Sequence, residues 1–190
     1  MSRVGVLALQ GGWAAHKQAL AECGYEPVEV RTADELATVD GLVLPGGEST
    51  THLKLIDRFG LAGPLDAFVA SGRPLLATCA GLILAARHVT HPEQPSFGWI
   101  DVDVARNAWG RQVHSFEATV PGRGPLAGHA LPLIFIRAPR ITRVGDGVEL
   151  LAAIDDEPVM VRAGNVIGAA YHPELTPDRR IHHLAFDRTR

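Results

Sequence analysis

Short, wholly apolar segments alternate with stretches of helical spacing along the first half of the chain. Residues 4–9 form a continuous apolar run, which is typical of a strand buried on both faces of a parallel sheet. Residues 13–23 show helical spacing and end before Gly24, a residue that favours helix termination. Further buried strands are predicted at residues 27–30, 41–44 and 75–78. This alternation predicts a parallel sheet with helices packed against it.

The helical spacing also predicts which side chains face the sheet. In residues 13–23 the inward positions are predicted to be Trp13, Lys17, Leu20 and Ala21. In the helix that begins near residue 50, Leu53, Ile56 and Phe59 share one face. Ser49 or Thr50 is predicted to cap that helix, because a hydroxyl can accept a hydrogen bond from an unpaired N–H of the first turn.

From residue 97 onward apolar and polar residues alternate, which is typical of half-exposed strands. Strands are predicted at residues 99–104, 115–120, 133–137, 150–154, 158–162 and 166–170. Residues 177–190 predict one amphipathic helix with Ile181, Leu184 and Ala185 facing inward. The pattern therefore predicts an α/β fold, with a parallel core from the first half extended by strands from the second.

Composition narrows the class of protein. The chain has 190 residues, of which 46% are hydrophobic and 21% charged, so we expect one globular domain over residues 1–190. A net charge of −3 gives no basic excess for nucleic acid, and no apolar run approaches the roughly 18 residues of a membrane span. The start leads directly into a strand, which leaves no room for a signal peptide. Two cysteines without a framework pattern favour a cytoplasmic location.

Cys79 stands at a position that suits a nucleophile. It follows the predicted strand at residues 75–78 and precedes a predicted helix at residues 80–86. A thiol at the start of a helix meets the positive end of the helix dipole, which favours the thiolate. Far downstream, His172 offers a base and Glu174 a carboxylate that can orient it. These three side chains are the groups that acyl transfer through a thioester requires.

Inert roles are the alternative for each of these residue types. A lone cysteine is more often a core residue than a nucleophile, and Cys23 is predicted to be of that inert kind. The histidines other than His172, including His182 and His183, show no metal-ligand spacing and are predicted to lie at the surface. What favours catalysis at Cys79 is the combination of its strand–turn–helix setting with a His/Glu pair at another strand end.

Several polar or glycine-rich segments follow predicted parallel strands. They are residues 10–12, residues 46–48, Cys79 and His172. Because reactive groups of such sheets collect at the carboxyl ends of the strands, we expect one crevice to hold them all.

Six segments in one order carry a resemblance to a known family. They are residues 5–11 (GVLALQG), 45–50 (PGGEST), 78–82 (TCAGL), 106–112 (RNAWGRQ), 115–117 (SFE) and 171–175 (YHPEL). Together they resemble the class I (triad) glutamine amidotransferases, and within these the glutaminase subunits of pyridoxal 5′-phosphate synthase. The resemblance spans residues 4 to about 176 and implies a three-layer, flavodoxin-like, mostly parallel sheet flanked by helices.

The resemblance implies a hydrolysis of L-glutamine to L-glutamate and ammonia. Cys79 would attack the side-chain amide, His172 would carry the proton to the departing amine, and Glu174 would orient the imidazole. The backbone N–H groups of Gly47 and Ala80 would form the oxyanion hole.

The resemblance also implies a set of glutamine-binding residues, comprising Gln10, Gly46, Gly47, Glu48, Arg106, Ile136 and Arg137. Glu48 and Arg106 would hold the α-amino and α-carboxylate groups. The alternatives stay open: a Gly-Gly pair can be an ordinary turn, Arg106 a solvated charge, and Arg137 a structural ion-pair partner that offers only its backbone. Glu117 is equally compatible with a strand or an interface.

Three positions depart from the family pattern. Ala77 stands where the family often has glycine, Trp109 where tyrosine is usual, and His114 where an acidic residue is usual. The third change could alter pairing with a partner or add pH sensitivity. All three leave the triad intact.

No cofactor or metal is implied, but a partner is. By resemblance, a (β/α)-barrel synthase subunit receives the ammonia, and the assembly is a large ring decorated with glutaminases. Our hypothesis is that docking completes the oxyanion hole by reorienting Gly46 and Gly47. The alternatives are a different triad amidotransferase, a cysteine hydrolase or stress protein on a similar fold, and a non-catalytic interaction subunit.

Overall fold

A mostly parallel sheet forms the centre of the structure, a computed structural model that describes residues 2–106 and 115–187. Trp109, His114 and residues 188–190 lie outside the described residues. In chain order the strands are β1 (Arg3–Leu7), β2 (Glu26–Val30), β3 (Gly41–Leu44), β4 (Leu75–Thr78), β5 (Ala86–Thr90), β6 (Ile100–Ala105), β7 (Ser115–Pro121), β8 (Ala130–Ile136), β9 (Arg140–Val144), β10 (Glu149–Ile154), β11 (Glu157–Ala163) and β12 (Val166–Ala169).

The central sheet has the strand order β10-β11-β12-β4-β3-β1-β2. From β12 to β2 the neighbours pair in parallel, whereas β11 and β10 extend that core with antiparallel pairing. Every residue of β3, β4 and β12 is buried, which explains why these strands read as continuous apolar runs. The predicted parallel core, extended by strands from the second half, is confirmed.

Helices cover both faces of this sheet. They are α1 (Trp13–Glu22), α2 (Ala33–Ala37), α3 (Ser49–Arg58), α4 (Ala62–Ala70), α5 (Ala80–Ala85) and α6 (Arg180–Phe186). The β1–β2 and β2–β3 crossovers step in opposite directions, and such crossovers are right-handed, so α1 and α2 lie on opposite faces. His16 on α1 contacts His182 on α6, which places α6 with α1. The predicted three-layer α/β arrangement is therefore confirmed.

A hairpin and a small sheet flank the central sheet. β5, β6 and β9 form the small sheet, and β7 pairs with β8 as the hairpin. The backbone N–H of His172 donates to the carbonyl oxygen of Ile134 at 2.8 Å, which ties the hairpin to the carboxyl end of β12. The end of β8 thereby reaches Cys79, since the Cys79 Sγ lies 3.9 Å from the Ile136 carbonyl oxygen.

The predicted inward face of α1 is wrong in part. Leu20 is buried as predicted, but its buried companions are His16 and Ala19, whereas Ala21 is exposed. The prediction assumed that a histidine faces water. His16 instead has buried polar partners, and its ring nitrogens lie 3.0 Å from Thr78 Oγ1 and 3.2 Å from His182 Nε2.

The predicted cap and inward face of α3 also need correction. Glu48 is the N-cap, and its carboxylate accepts hydrogen bonds from the Thr50 backbone N–H at 3.3 Å and hydroxyl at 3.0 Å. Ser49, which was predicted as a possible cap, is the first residue of the helix. Phe59 is 52% exposed because it follows the last turn of the helix, where the chain leaves the sheet.

Other boundaries shift or were not predicted. The helix expected through residue 86 ends at Ala85, and β5 begins at Ala86. The elements β5, β9 and α2 had no counterpart in the sequence prediction. In α6 the predicted Ile181 is buried, while Leu184 and Ala185 are half-buried. In the described part of the chain, none of the helices is both long and apolar enough to cross a membrane.

Candidate active site

Cys79 occupies a strained turn between β4 and α5. Its φ is +47° and its ψ −104°, a conformation that costs on the order of 1–3 kcal/mol for a residue with a side chain. Its backbone N–H donates to the carbonyl oxygen of Ala169 at 2.8 Å, and its own carbonyl accepts from Ile83 at 3.2 Å. The turn is thus fixed on the β12 side and on the α5 side, and the thiol is held at the carboxyl edge of the sheet.

A close approach between α5 and β3 supports this turn. A Cβ placed on Gly81 would lie 2.0 Å from the carbonyl oxygen of Leu44. Only glycine permits that distance, because backbone atoms cannot move aside as a flexible side chain can. The first turn of α5 therefore packs directly on the end of β3, next to the nucleophile.

His172 and Glu174 follow β12, the strand beside β4. The His172 Nδ1 lies 2.8 Å from Glu174 Oε1, so the ring donates to the carboxylate through Nδ1. Cys79 adjoins the same imidazole, because both residues lie against Gly46. The Glu174 side chain is 1% exposed and lies in the short turn Pro173–Leu175. The structure therefore brings the three predicted triad residues together in one cluster.

The electrostatics keep the His172 imidazole protonated near neutral pH. Burial alone would lower the pKa of His172, but the neighbouring Cys79 and the hydrogen-bonded Glu174 carboxylate raise it to about 10. Burial would likewise raise the pKa of Glu174, but the attraction of His16 and the hydrogen bond and charge of His172 lower it. Glu174 thus remains ionised and supports the charged imidazole.

A cavity of about 210 Å³ opens in front of these groups, a size that suits a molecule no larger than an amino acid. Its walls combine the thiol, the imidazole, a glycine-rich loop and two arginines. The lining includes Gly46, Gly47, Glu48, Cys79, Arg106, Ile136, Arg137 and His172. The predicted shared crevice therefore exists, at the carboxyl ends of β3, β4 and β12.

The glycine-rich loop after β3 presses close to the imidazole. A Cβ on Gly46 would lie 2.6 Å from His172 Cε1 and 3.3 Å from Cys79 Cβ. The Gly46 carbonyl accepts from the Gly12 N–H at 3.0 Å. Because a trans peptide directs its two polar groups to opposite sides, the Gly47 N–H points away from Gly12. Gly47 itself has a φ of +151°, which favours glycine.

Two charged side chains meet at the mouth of the cavity. Arg106 Nη2 lies 3.0 Å from Glu48 Oε1, and the Arg106 side chain is only 12% exposed. On the opposite wall Arg137 has a φ of +45° at the end of the hairpin. The wall also presents the Ile136 carbonyl, so backbone groups as well as guanidinium groups face the cavity.

Gln10 is placed differently from the other predicted binding residues. Its Nε2 donates to the Glu48 carbonyl at 3.0 Å, and its Oε1 accepts from the Glu48 N–H at 3.4 Å. Both ends of the amide are therefore used to hold the loop backbone, and Gln10 does not line the cavity. Ala80 begins α5, and its N–H is among those that an α-helix leaves unpaired in its first turn.

The prediction that the remaining histidines lie at the surface is wrong for three of them. His16, His52 and His182 are each 0% exposed. His183 fits the prediction, with a side chain 44% exposed. A signal for His16 was present, because it shares a helical face with Ala19 and Leu20 at i+3 and i+4. No group of His, Cys, Asp and Glu side chains in the described ranges could hold a metal ion.

These buried histidines should make the protein sensitive to mild acid. Burial lowers the pKa of His52 to about 4 and of His182 to about 3, and it lowers that of His16. Between these values and the ordinary pKa of about 6.5 the unfolded chain binds more protons than the native protein, so stability falls as the pH drops. Replacing His52 with methionine should reduce the loss in unfolding free energy between pH 7 and 5 by about 2 kcal/mol, as measured by urea denaturation.

The matched control for this prediction is His88→Gln, which changes an exposed histidine. We expect it to keep the pH dependence of the unmodified protein. An identical pH dependence in the His52→Met protein would contradict the assignment of acid sensitivity to the buried ring.

Comparisons of the sequence with known proteins agree on one family. Residues 6–189 match the sequence profile of the SNO glutamine amidotransferase family. The chain is 52% identical, over 99% of its length and 95% of the relative, to "Pyridoxal 5′-phosphate synthase subunit PdxT" of Frankia casuarinae. It is 48% identical to the protein of that name from Geobacillus thermodenitrificans, over 94% of its length and 91% of the relative.

Solved structures agree with the sequence comparison. A structure described as a glutamine amidotransferase superposes with a TM-score of 0.90 at 44% identity, covering 97% of each chain. PurLQS from Thermotoga maritima superposes with a TM-score of 0.75 at 16% identity, covering 98% of this chain and 99% of that one. The second likeness shows a shared fold only.

Proposed function

The chain belongs to the SNO glutamine amidotransferase family, and on that premise we propose that it hydrolyses L-glutamine as the glutaminase component of pyridoxal 5′-phosphate synthase. The observation that carries the proposal is the buried Cys79–His172–Glu174 chain, which opens into a cavity of amino-acid size. The relatives at 48–52% identity are named as subunits of that synthase.

The first half of the reaction forms a thioester. With its proton on His172, the Cys79 sulfur attacks the side-chain amide carbon of glutamine, and the carbonyl oxygen becomes an oxyanion. The tetrahedral species collapses as the carbon–nitrogen bond breaks, and His172 gives its proton to the leaving nitrogen, which departs as ammonia. Glu174 keeps the imidazole oriented and stabilises its charged form throughout.

The second half releases glutamate. A water molecule attacks the thioester while His172 takes its proton, and the sulfur leaves as the thiolate, which restores the starting pair. The Ala80 and Gly47 N–H groups are the proposed oxyanion donors in both halves. Losing one such donor typically costs roughly 10²–10³-fold in rate.

The substrate would bind through the ion pair of Glu48 and Arg106 at the mouth of the cavity. The α-ammonium of glutamine would take a place beside Glu48 and its α-carboxylate a place beside Arg106, so the zwitterion substitutes for the existing ion pair. Ile136 and Arg137 would complete the wall through backbone groups. Gln10 would contribute indirectly, by holding the backbone of Glu48.

Replacing Glu48 with glutamine should weaken substrate binding. A hydrogen bond to a charged group is worth about 1.5–3 kcal/mol, so we expect KM for glutamine to rise by about 10- to 100-fold with a smaller change in kcat. Steady-state kinetics of glutamate release measure both constants. The matched control is Glu26→Gln on β2, away from the cavity, which should leave KM unchanged. A fall in kcat at constant KM would contradict the binding role.

The ammonia requires a recipient, which we propose to be a (β/α)-barrel synthase subunit in a large cytoplasmic hetero-oligomer. Docking would complete the oxyanion hole by rotating the Gly46–Gly47 peptide. Two observations support this: neither residue has a side chain to obstruct rotation, and the Gly46 carbonyl is held by a backbone hydrogen bond from Gly12.

The deciding experiment measures glutamate release from glutamine with and without the barrel subunit. We expect activity that appears or increases strongly when the partner is added. A free subunit as active as the complex would overturn the loop rotation. An absence of glutaminase activity in a complex shown to assemble would overturn the catalytic function and leave an interaction subunit.

A further inference from the structure

A buried chain of polar side chains continues behind the triad, on the side away from the cavity. Glu174 uses Oε1 for His172, and its other oxygen, Oε2, lies 3.2 Å from His16 Nε2. His16 Nδ1 in turn lies 3.2 Å from His182 Nε2. The His16 and His182 rings are both 0% exposed, so this chain lies wholly inside the protein.

We propose that His16 is a positioning residue for the glutaminase reaction, holding the second oxygen of Glu174 in place, and that His182 fixes the tautomer in which His16 can do so. The expected effect on turnover rests on the proposed function. The contacts among Glu174, His16 and His182 do not depend on the substrate. It extends the triad inward by two histidines drawn from α1 and α6.

The proton positions on the two buried rings follow from the charge on Glu174. A carboxylate only accepts, so the atom facing Oε2 must carry a hydrogen, and His16 is protonated at Nε2. A neutral ring then has a lone pair at Nδ1, which requires a donor, and His182 supplies it from Nε2–H. The Thr78 hydroxyl, 3.0 Å from His16 Nε2, can share the same hydrogen. Each group therefore sets the proton position of the next.

Burial gives this contact its energetic importance. A carboxylate removed from water keeps its charge only if its oxygens receive hydrogen bonds. The His172 ring provides one for Oε1, and the His16 Nε2 lies 3.2 Å from Oε2, where an N–H dipole favours the charged carboxylate. Burial lowers the pKa of His16, so the ring stays neutral near pH 7 and acts as an oriented dipole.

Few other charged groups lie near His16 and Glu174. The titratable groups that act on His16 and Glu174 are His172 and Arg179, and His182 contacts His16. Arg179 is engaged elsewhere, since its Nη2 lies 2.7 Å from Glu22 Oε2 and its Nη1 donates to the Thr176 carbonyl. The acid behaviour of Glu174 should therefore depend mainly on the two rings that contact it.

The test compares His16→Leu with the unmodified protein in the complex with the barrel subunit. Without the contact from His16, Glu174 takes up a proton at higher pH, and the His172 imidazolium loses part of its support. We expect kcat to fall about 10-fold with KM unchanged, and the acid limb of the kcat/KM profile to move up by about one pH unit. The rate of Cys79 alkylation by iodoacetamide should show the same shift.

Two further variants separate positioning from packing. His16→Gln keeps an N–H donor near the Nε2 position, so it should recover most of the rate and of the pH profile. His183→Leu removes the exposed neighbour of His182 and should change neither. If His16→Leu does not fold, His182→Phe decides, because it leaves the Glu174–His16 contact but removes the donor that fixes the tautomer; the acid limb should then move in the same direction by less.

Alkylation does not require glutamine, so it distinguishes the two possible failures. A shifted alkylation profile in a protein without glutaminase activity would support the positioning role and refute only the proposed function. A loss of rate that is uniform across pH, or an unchanged acid limb in both His16→Leu and His182→Phe, would overturn the positioning role.

Discussion

Replacing Cys79 with alanine should reduce glutamate release from glutamine by at least about 10⁴-fold, because no other group at the site can form the thioester. The fold should survive, since the thiol makes only a weak contact with the Ile136 carbonyl at 3.9 Å. Alanine also fits the strained turn no worse than cysteine does. The measurement is steady-state glutamate release in the assembled complex, with circular dichroism to verify folding.

The control for this prediction is the second cysteine of the chain, Cys23. That thiol lies at the end of α1, and burial raises its pKa to about 11, so it is a poor nucleophile at neutral pH. Cys23→Ala should retain full activity and the same response to iodoacetamide as the unmodified protein. Substantial glutamate release by the Cys79→Ala protein would show that the thioester mechanism is wrong.

Replacing Gly81 with alanine should destabilise the protein by about 3 kcal/mol or more. The added Cβ would lie 2.0 Å from the Leu44 carbonyl oxygen, so either α5 or the end of β3 must move. Because α5 starts immediately after Cys79, that movement should also displace the nucleophile. We expect a lower midpoint in urea denaturation and lower activity in whatever fraction folds.

Gly63 gives a matched comparison for this substitution. It also lies in a helix, α4, but a Cβ there would meet nothing within 4 Å. Alanine has the higher helix propensity, so Gly63→Ala should stabilise the protein by about 0.5–1 kcal/mol. Equal effects of the two substitutions would show that the contact between α5 and β3 is not as tight as the geometry indicates.

The central sheet was predictable because its strands are buried on both faces. A continuous apolar run such as residues 41–44 has one plausible structure when a turn follows it. The elements that were missed lack such a signal. β5 begins at the last residue of an apolar segment that predicts a helix, and its Arg87 and His88 are exposed. α2 is short and buries only Leu36, although its Thr32–Glu35 capping box was visible in the sequence.

The candidate site likewise contains some residues that the sequence predicts and others that it does not. A strand–turn–helix setting points to Cys79, and the family resemblance points to the partners of the thiol. The placement of Gln10 behind the loop depends on how β1 and β3 neighbour each other, which local sequence does not contain. The buried rings of His16, His52 and His182 were missed for a related reason. From sequence alone a histidine is predicted to be a polar surface residue, and its burial can be predicted only when its partners in the folded structure are known.

The strand order also has a consequence for synthesis on the ribosome. Cys79 emerges long before His172, yet β12, which precedes His172, inserts directly against β4 in the middle of the sheet. A growing chain therefore carries a thiol without its base until almost the whole sequence has been translated. Under the proposed mechanism, chains that lack β12 should therefore be inactive, because this last central strand brings the histidine and the glutamate together.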